Sequence, residues 1–297
     1  MSKNYKTLTE KYNFLGIGKK YSVYSNSNIA ILQAPYEKTT SYGKGTAKGP
    51  AAIIKASHYV EFFDEETQKE ICFSQGITTL EPIKFGNLKG KKALDLIYKN
   101  AAEHIRNGKF VITLGGEHSI SSAVIKAHLD NFDELSILHF DAHSDLRDEY
   151  EGSKYSHASF AARVAEWTSS ITQIGIRAQC KEEFEFIIAK GINTFYAHQM
   201  RKEGFNSILI EKIINTLKKN VYITFDVDYF DPSIMPSTGT PEPNGFYWDE
   251  TMRLLKLVCK ERNLIGFDVV ELAPNKAIKF PDFLTAKLIY KILNYKF

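Results

Sequence analysis

Residues 135–145 read LSILHFDAHSD, a short apolar run that ends abruptly in Asp141, His143 and Asp145. A run of this length bounded by polar residues reads as a buried strand. Side chains alternate along an extended chain, so Asp141, His143 and Asp145 are expected to share one side of its end. Similar short runs recur at 29–32, 109–114, 171–176, 192–196, 221–225 and 264–270. Between them lie segments with helical spacing, at 50–63, 93–106, 119–129, 207–218, 248–259 and 281–295. Pro50 and Pro281 suit the first turn of a helix, where a missing N–H does no harm. Strand and helix alternate almost throughout, which predicts an α/β fold, a parallel sheet of about eight strands covered by helices. Pattern alone leaves an open sheet and a closed barrel both standing, since each gathers functional residues at the C-terminal ends of its strands.

Nothing divides the chain. No shift in composition, Pro/Gly/Ser-rich linker or internal repeat interrupts the 297 residues, so residues 1–297 are expected to form one domain. Hydrophobic residues make up 43% and charged residues 25%, which supports a globular core and excludes wholesale disorder. Lys+Arg 38 against Asp+Glu 35 leaves +3 and no concentrated basic face, so no nucleic-acid partner is expected. No run approaches the roughly 18 apolar residues of a membrane span, and residues 1–20 hold no apolar signal core; a cytoplasmic location is expected. Cys72, Cys180 and Cys259 are far apart and unpaired by spacing, so a metal here must use histidine and carboxylate ligands.

Two further strand ends carry such ligands. Run 221–225 leads into Asp226 and Asp228, which alternation again pairs, and run 109–114 leads into Gly115-Gly116-Glu117-His118, where two glycines permit a sharp turn. Taken singly these signals are weak, because Asp-x-Asp is common turn chemistry. Taken together they place four aspartates at one sheet edge, where like carboxylates repel unless cations neutralise them. Asp141, Asp145, Asp226 and Asp228 supply four negative charges, and His118 and His143 supply neutral nitrogens. That set matches two divalent ions sharing bridging carboxylates. Oxygen-rich ligation without sulfur favours Mn(II)-type geometry over a closed zinc site and leaves Fe, Co, Ni and Zn open. Such pairs of ions, about 3.5–4 Å apart, activate a water for attack on an electrophilic centre.

The motifs GGEHS (115–119), FDAHSD (140–145), SHAS (156–159), FDVDYFDP (225–232), STGTPEP (237–243) and FDVVELAP (267–274), in this order, resemble the arginase/agmatinase ureohydrolase family, agmatinase in particular. The resemblance implies a three-layer α/β/α fold around a mostly parallel, open sheet. It also implies a binuclear manganese centre, a trimeric or hexameric homo-oligomer, and hydrolysis of a small cationic guanidino compound to urea and an amine. On matching positions His118, Asp141, His143, Asp145, Asp226 and Asp228 are the metal ligands. His157 takes the proton-shuttle position, Glu271 is the guanidinium-binding carboxylate, and Asp145 relays a proton to the leaving amine. A guanidinium is resonance-stabilised and stays cationic below a pKa above about 12, so both its carbon and the attacking water need activation.

Departures from the family pattern bear on the substrate. Ala158 stands where agmatinases have glycine. Arg147 stands where arginases have an asparagine that holds the amino-acid carboxylate, and Ala178-Gln179-Cys180 lacks the arginase aspartates. Arginine is thereby disfavoured, and agmatine, cleaved to putrescine and urea, leads. Asp148, Glu149 and Glu151 either form a solvated charged loop or receive its distal ammonium or the extra amine of N1-aminopropylagmatine, whereas Arg147 suits guanidinobutyrate. A single-zinc deacetylase-like enzyme and a non-catalytic homologue remain as alternatives, and the complete ligand set argues against both. His139 shares parity with Asp141 and is read as structural or as a support for that ligand. His58, His104, His128 and His198 are read as structural or surface residues. The segment 43–46, Gly-Lys-Gly-Thr, lacks the phosphate-loop spacing and is read as a loop leading into the helix at Pro50.

Overall fold

The computed structural model describes residues 5–297. Among them eight strands form one sheet: β1 (Ile29–Ala34), β2 (Ile77–Thr79), β3 (Phe110–Gly115), β4 (Leu135–Phe140), β5 (Ile171–Ile176), β6 (Asn193–Tyr196), β7 (Asn220–Asp226) and β8 (Asn263–Val270). Their order is β2-β1-β3-β8-β7-β4-β5-β6, and every pairing is parallel. The sheet has two ends and is open, not a barrel.

Burial explains why the strands read as continuous apolar runs and not as alternating ones. Both faces of a parallel sheet are covered. Ile29 and Ile31 of β1 enter one core, built with Ile53 and Ile54 of helix Gly49–Ser57, Leu254 and Leu255 of helix Trp248–Glu261, and Leu288 and Ile289 of helix Phe280–Lys296. Ala30, Leu32 and Ala34 enter the other, with Ile97 of helix Lys91–Arg106 and Val124 of helix Ile120–Leu129. The result is the expected three layers. Among the described residues no helix is long and apolar enough to cross a membrane.

Differences from the sequence reading are local. The helix at Pro50 stops at Ser57, not at residue 63, because the Ser57 hydroxyl turns back to Ile54 O (2.7 Å) and accepts the Leu15 N–H (2.8 Å). Strand β2 went unread because it is three residues long, held by the parallel register of Ile77 against Ile29. Helix Lys181–Lys190 went unread because its apolar stripe is weak: Phe184 and Ile188 are 45% and 65% exposed. Its ends are nevertheless marked, by Glu183 reaching back to the Cys180 N–H and by Gly191 at φ 65°.

The functional consequence lies at the sheet's centre. Strands β3, β8, β7 and β4 are neighbours, and because all run the same way their C-terminal ends meet at one edge. Those ends carry His118, Glu271, Asp226 with Asp228, and Asp141 with His143 and Asp145.

Candidate metal centre and its cavity

All six sequence-expected ligands converge, though not by strand alternation. Strand β4 ends at Phe140, and Asp141 Oδ1 then accepts the His143 N–H at 2.6 Å. Asp226 Oδ1 accepts the Asp228 N–H at 2.8 Å in the same manner. Each pair is therefore presented by a carboxylate-closed turn. Asp145 sits at φ 51°, a backbone region that L-residues rarely adopt, held by hydrogen bonds from Ala161 N (3.0 Å) and Ala162 N (3.4 Å) to its carbonyl. Glu271 sits at φ 63°, with its N–H on Gly116 O at 2.9 Å. Strain at these two positions turns both carboxylates toward the cluster.

His118 Nδ1 lies 3.0 Å from Asp141 Oδ2, 3.2 Å from Asp226 Oδ2 and 3.3 Å from Asp145 Oδ2. Yet it is a buried nitrogen without an aligned hydrogen bond. Its proton placement explains this. Thr224 Oγ1 donates its one hydrogen to Asp268 Oδ1 (2.8 Å), so it accepts from His118 Nε2 (2.9 Å), leaving Nδ1 with a lone pair aimed at three carboxylates. A lone pair facing anions is unfavourable unless a cation stands between them. On the other side, His143 Nδ1 is 2.9 Å from Asp228 Oδ2 and 3.6 Å from Asp141 Oδ1. Asp141 thus belongs to two donor groups, one with His118 and one with His143 and Asp228. The donor set fits a pair of divalent cations sharing carboxylates.

The electrostatics say the same. Burial opposes charge on His118, but the Asp141, Asp145 and Asp226 carboxylates crowded around it hold it well above its ordinary range. His143 is likewise raised, with burial outweighed by Asp228 and Asp141. Burial and then Asp228 push Asp226 well up, and burial and then Asp141 push Asp145 up to about 6. Burial also raises Asp141, but three imidazoles, His139 first, outweigh it and carry that carboxyl well down. Without metal the chain can settle this crowd only by taking up protons, which divalent cations would displace.

A cavity of about 340 Å³ opens beside the cluster, and its lining joins Asp145, Asp226, Asp228 and Glu271 to His157, Tyr150 and Gln179. Glu271 Oε1 accepts the His118 N–H at 2.6 Å, while Oε2 faces Gly239, where a side chain would start only 3.9 Å away. Burial pushes its carboxyl well up. The 43–46 segment contributes to the wall: Gly43 donates to Gly239 O at 3.1 Å, and a Cβ on Gly43 would fall 2.7 Å from that oxygen, so glycine is required there.

Three participants escaped the sequence reading. Glu117 is fully buried and accepts Lys38 N (2.5 Å), Thr39 N (2.6 Å), Thr39 Oγ1 (2.8 Å) and Ser119 Oγ (2.6 Å). Thr39 Oγ1 in turn accepts the His157 N–H at 3.0 Å, so Glu117 anchors the wall that carries His157. Burial lowers the His157 imidazole, which keeps it neutral near pH 7. Arg177 spends its guanidinium on carbonyls of both the ligand turn and the cavity lip, with Asp228 O at 2.6 Å, Glu242 O at 3.0 Å and Pro243 O at 3.1 Å. Glu183 lines the cavity and accepts Leu146 N (2.9 Å) and Cys180 N (2.7 Å). The motif GGEHS held a signal for Glu117; the other two had none of their own.

Of the two readings of the acidic loop, the structure fits the solvated one. Asp148 is bound to Arg163 (2.7 Å) and Lys154 (3.0 Å), and neither it, Glu149 nor Glu151 lines the cavity. Arg147 does line it, over the Tyr150 ring at 5.2 Å. His128 and His58 are structural as read, bound to Val124 O (2.8 Å) and Asn13 O (2.9 Å).

Comparison with known proteins follows the same lines. Residues 27–294 match the model of the arginase family. The N(1)-aminopropylagmatine ureohydrolase of Synechocystis sp. is 36% identical over 277 residues, covering 92% of this chain and 90% of its own. The agmatinase of Bacillus anthracis is 31% identical over 264 residues, 86% of this chain and 87% of its own. Among solved structures, agmatine ureohydrolase of Thermoplasma volcanium superposes with a TM-score of 0.84 at 27% identity, covering 100% of this chain and 95% of its own.

Proposed function

Because the chain belongs to the arginase family and is an enzyme of its metal-dependent ureohydrolase type, we propose that it hydrolyses N1-aminopropylagmatine to urea and the free triamine. The observation that carries the reaction is the placement of Glu271. Its carboxylate is anchored through one oxygen and opens its other into the cavity shared with the six ligand-type residues. The choice of substrate is supported by likeness to the Synechocystis enzyme. This replaces agmatine, which the motifs alone had favoured and which stands as the second reading through the Bacillus anthracis agmatinase.

In this mechanism His118, Asp141, His143, Asp145, Asp226 and Asp228 hold two divalent cations, manganese by preference. When bound, these supply Lewis acidity and a nucleophile at neutral pH. Glu271 receives the guanidinium N–H groups on its open oxygen and fixes the angle of attack at its carbon. As the water oxygen bonds to the carbon its proton passes to Asp145, which hands it to the amine nitrogen of the substrate as the C–N bond to that amine breaks. His157, neutral and facing the cavity, exchanges protons with solvent. Tyr150 and the 40–43 wall enclose the substrate and limit water.

A urea-release panel with added Mn(II) tests this over N1-aminopropylagmatine, agmatine, arginine, guanidinobutyrate and formiminoglutamate. The highest kcat/KM is expected on N1-aminopropylagmatine, with urea and triamine in equal amounts. A higher value on agmatine supports the second reading. Arg147 on the cavity wall makes guanidinobutyrate the informative control, since its anionic tail would meet that cation. Silence on all five with metal bound would overturn the ureohydrolase reading.

A further inference from the structure

His139 stands among the possible metal donors by position alone, since its ring nitrogen lies within 4.8 Å of donor atoms on His118 and Asp141. We propose instead that His139 is a positioning residue, and that Gln173 fixes its proton so that it clamps Asp141 for metal binding. The inference rests on the metal-centre reading above.

The clamp is determined atom by atom. Gln173 Nε2 lies 2.8 Å from Ser144 O, and a carbonyl can only accept, so this contact fixes which face of the amide carries nitrogen. Turning the amide over would set two oxygens against each other. Thr194 Oγ1, 3.0 Å from Gln173 Oε1, donates to the remaining oxygen. The second N–H of Gln173 then points at His139 Nδ1, 3.1 Å away, which must accept it. The His139 proton therefore sits on Nε2 and is donated to Asp141 Oδ2 at 2.7 Å. A second proton on Nδ1 would oppose donor to donor. A nitrogen committed as a donor cannot bind a cation, which removes His139 from the ligand set. The same reasoning keeps His118 in it, because there Thr224 Oγ1 accepts the Nε2–H and leaves Nδ1 with its lone pair.

The consequence falls on Asp141. One of its oxygens is held by the His139 ring and the other by the His143 N–H at 2.6 Å, so the plane of the carboxylate common to both donor groups is set before any metal arrives. Gln173, His139, Asp141 and Ser144 are all at most 1% exposed, so water cannot substitute for a lost partner. Because Gln173 also holds Ser144 O, one amide on β5 braces both the ligand and the loop that carries Asp145. Partners of this kind are typically worth 10–100-fold in metal affinity, about that order here.

The test is calorimetric titration of the metal-stripped, full-length protein with Mn(II), alongside circular dichroism. His139→Phe removes the donor and keeps a ring. His139→Gln keeps an N–H near the place of Nε2. Gln173→Glu exchanges the amide donor for an acceptor with almost no change of shape. His139→Phe and Gln173→Glu are expected to weaken Mn(II) binding by about 10–100-fold, with His139→Gln close to wild type. Wild-type binding by His139→Phe would overturn the proposal. So would equal losses in His139→Gln and His139→Phe, the result expected of a true ligand. Should His139→Phe be unfolded, Gln173→Glu decides by the same titration. Failure of the wild type itself to bind Mn(II) would instead condemn the metal-centre reading.

Discussion

Two carboxylate clusters in this chain, one around buried Asp64 and one at the sheet edge, have opposite fates. In one, Asp64 and Glu66 close on Lys291, whose ammonium lies 2.8 Å from an oxygen of each, while Lys256 and Tyr295 complete the shell of Glu66. Despite the opposing effect of burial, these partners lower both carboxyls, Glu66 to about 2. In the other, Asp141, Asp145, Asp226, Asp228 and Glu271 share one edge of the sheet and no lysine or arginine pairs with their oxygens; Arg177 spends its guanidinium on carbonyls, and burial drives Asp226 and Glu271 well upward. The first cluster brings its own cation. The second is built without one, and the contrast identifies the missing charge as external. A structural ion pair closes on itself, whereas a binding site is left electrostatically incomplete.

The sharpest way to break this comparison is to remove a charge from each cluster. Asp228→Ala should abolish urea release and Mn(II) occupancy together, with the metal-free chain still folded, as measured by metal analysis and turnover. Retention of full metal content would contradict the ligand set. Lys291→Met should do the reverse, since stripping one partner from a buried pair costs about 3–5 kcal/mol of stability. Denaturant unfolding should register that loss while Mn(II) affinity stays as in wild type.

Smaller effects sharpen the contrast. His157→Ala should leave metal content intact and lower kcat by about 10²-fold, the usual scale of one acid–base group. Acid should also separate the clusters. Glu66 has a folded pKa near 2, below its ordinary value of 4.5, so it contributes stability that is complete above about pH 5 and fades as pH falls toward 2. The metal cluster should release Mn(II) at higher pH than that, because Asp145 already sits near 6 when no metal is bound. Parallel acid titrations of metal content and of unfolding would show metal loss first.

Much of this was legible in residue order. The apolar runs located seven of the eight strands, because strands buried on both faces need no register to be recognised. Asp141 and Asp226 were legible only together, because turn chemistry accounts for either one alone but not for four aspartates at one sheet edge. What escaped depended on residues distant in sequence. Glu117 acquires meaning from Thr39, 78 residues away, and Gln173 from His139 on the neighbouring strand and Ser144 on the loop that follows it. Residue order left Asp148 open between a substrate contact and a solvated loop, and its pairing with Arg163 favours the loop. Asp141 with His143 and Asp226 with Asp228 do come together, but through turns closed by Asp141 and Asp226 and not through strand alternation.

The central claim is that the cluster at the ends of β3, β4 and β7 is completed by cations from outside. Equilibrium dialysis of the full-length, metal-stripped protein against Mn(II), with urea release followed at each loading, tests it most directly. Two Mn(II) per chain, with turnover on N1-aminopropylagmatine appearing only as the sites fill, is the predicted result. Saturation at one ion or none, or turnover independent of loading, would contradict it.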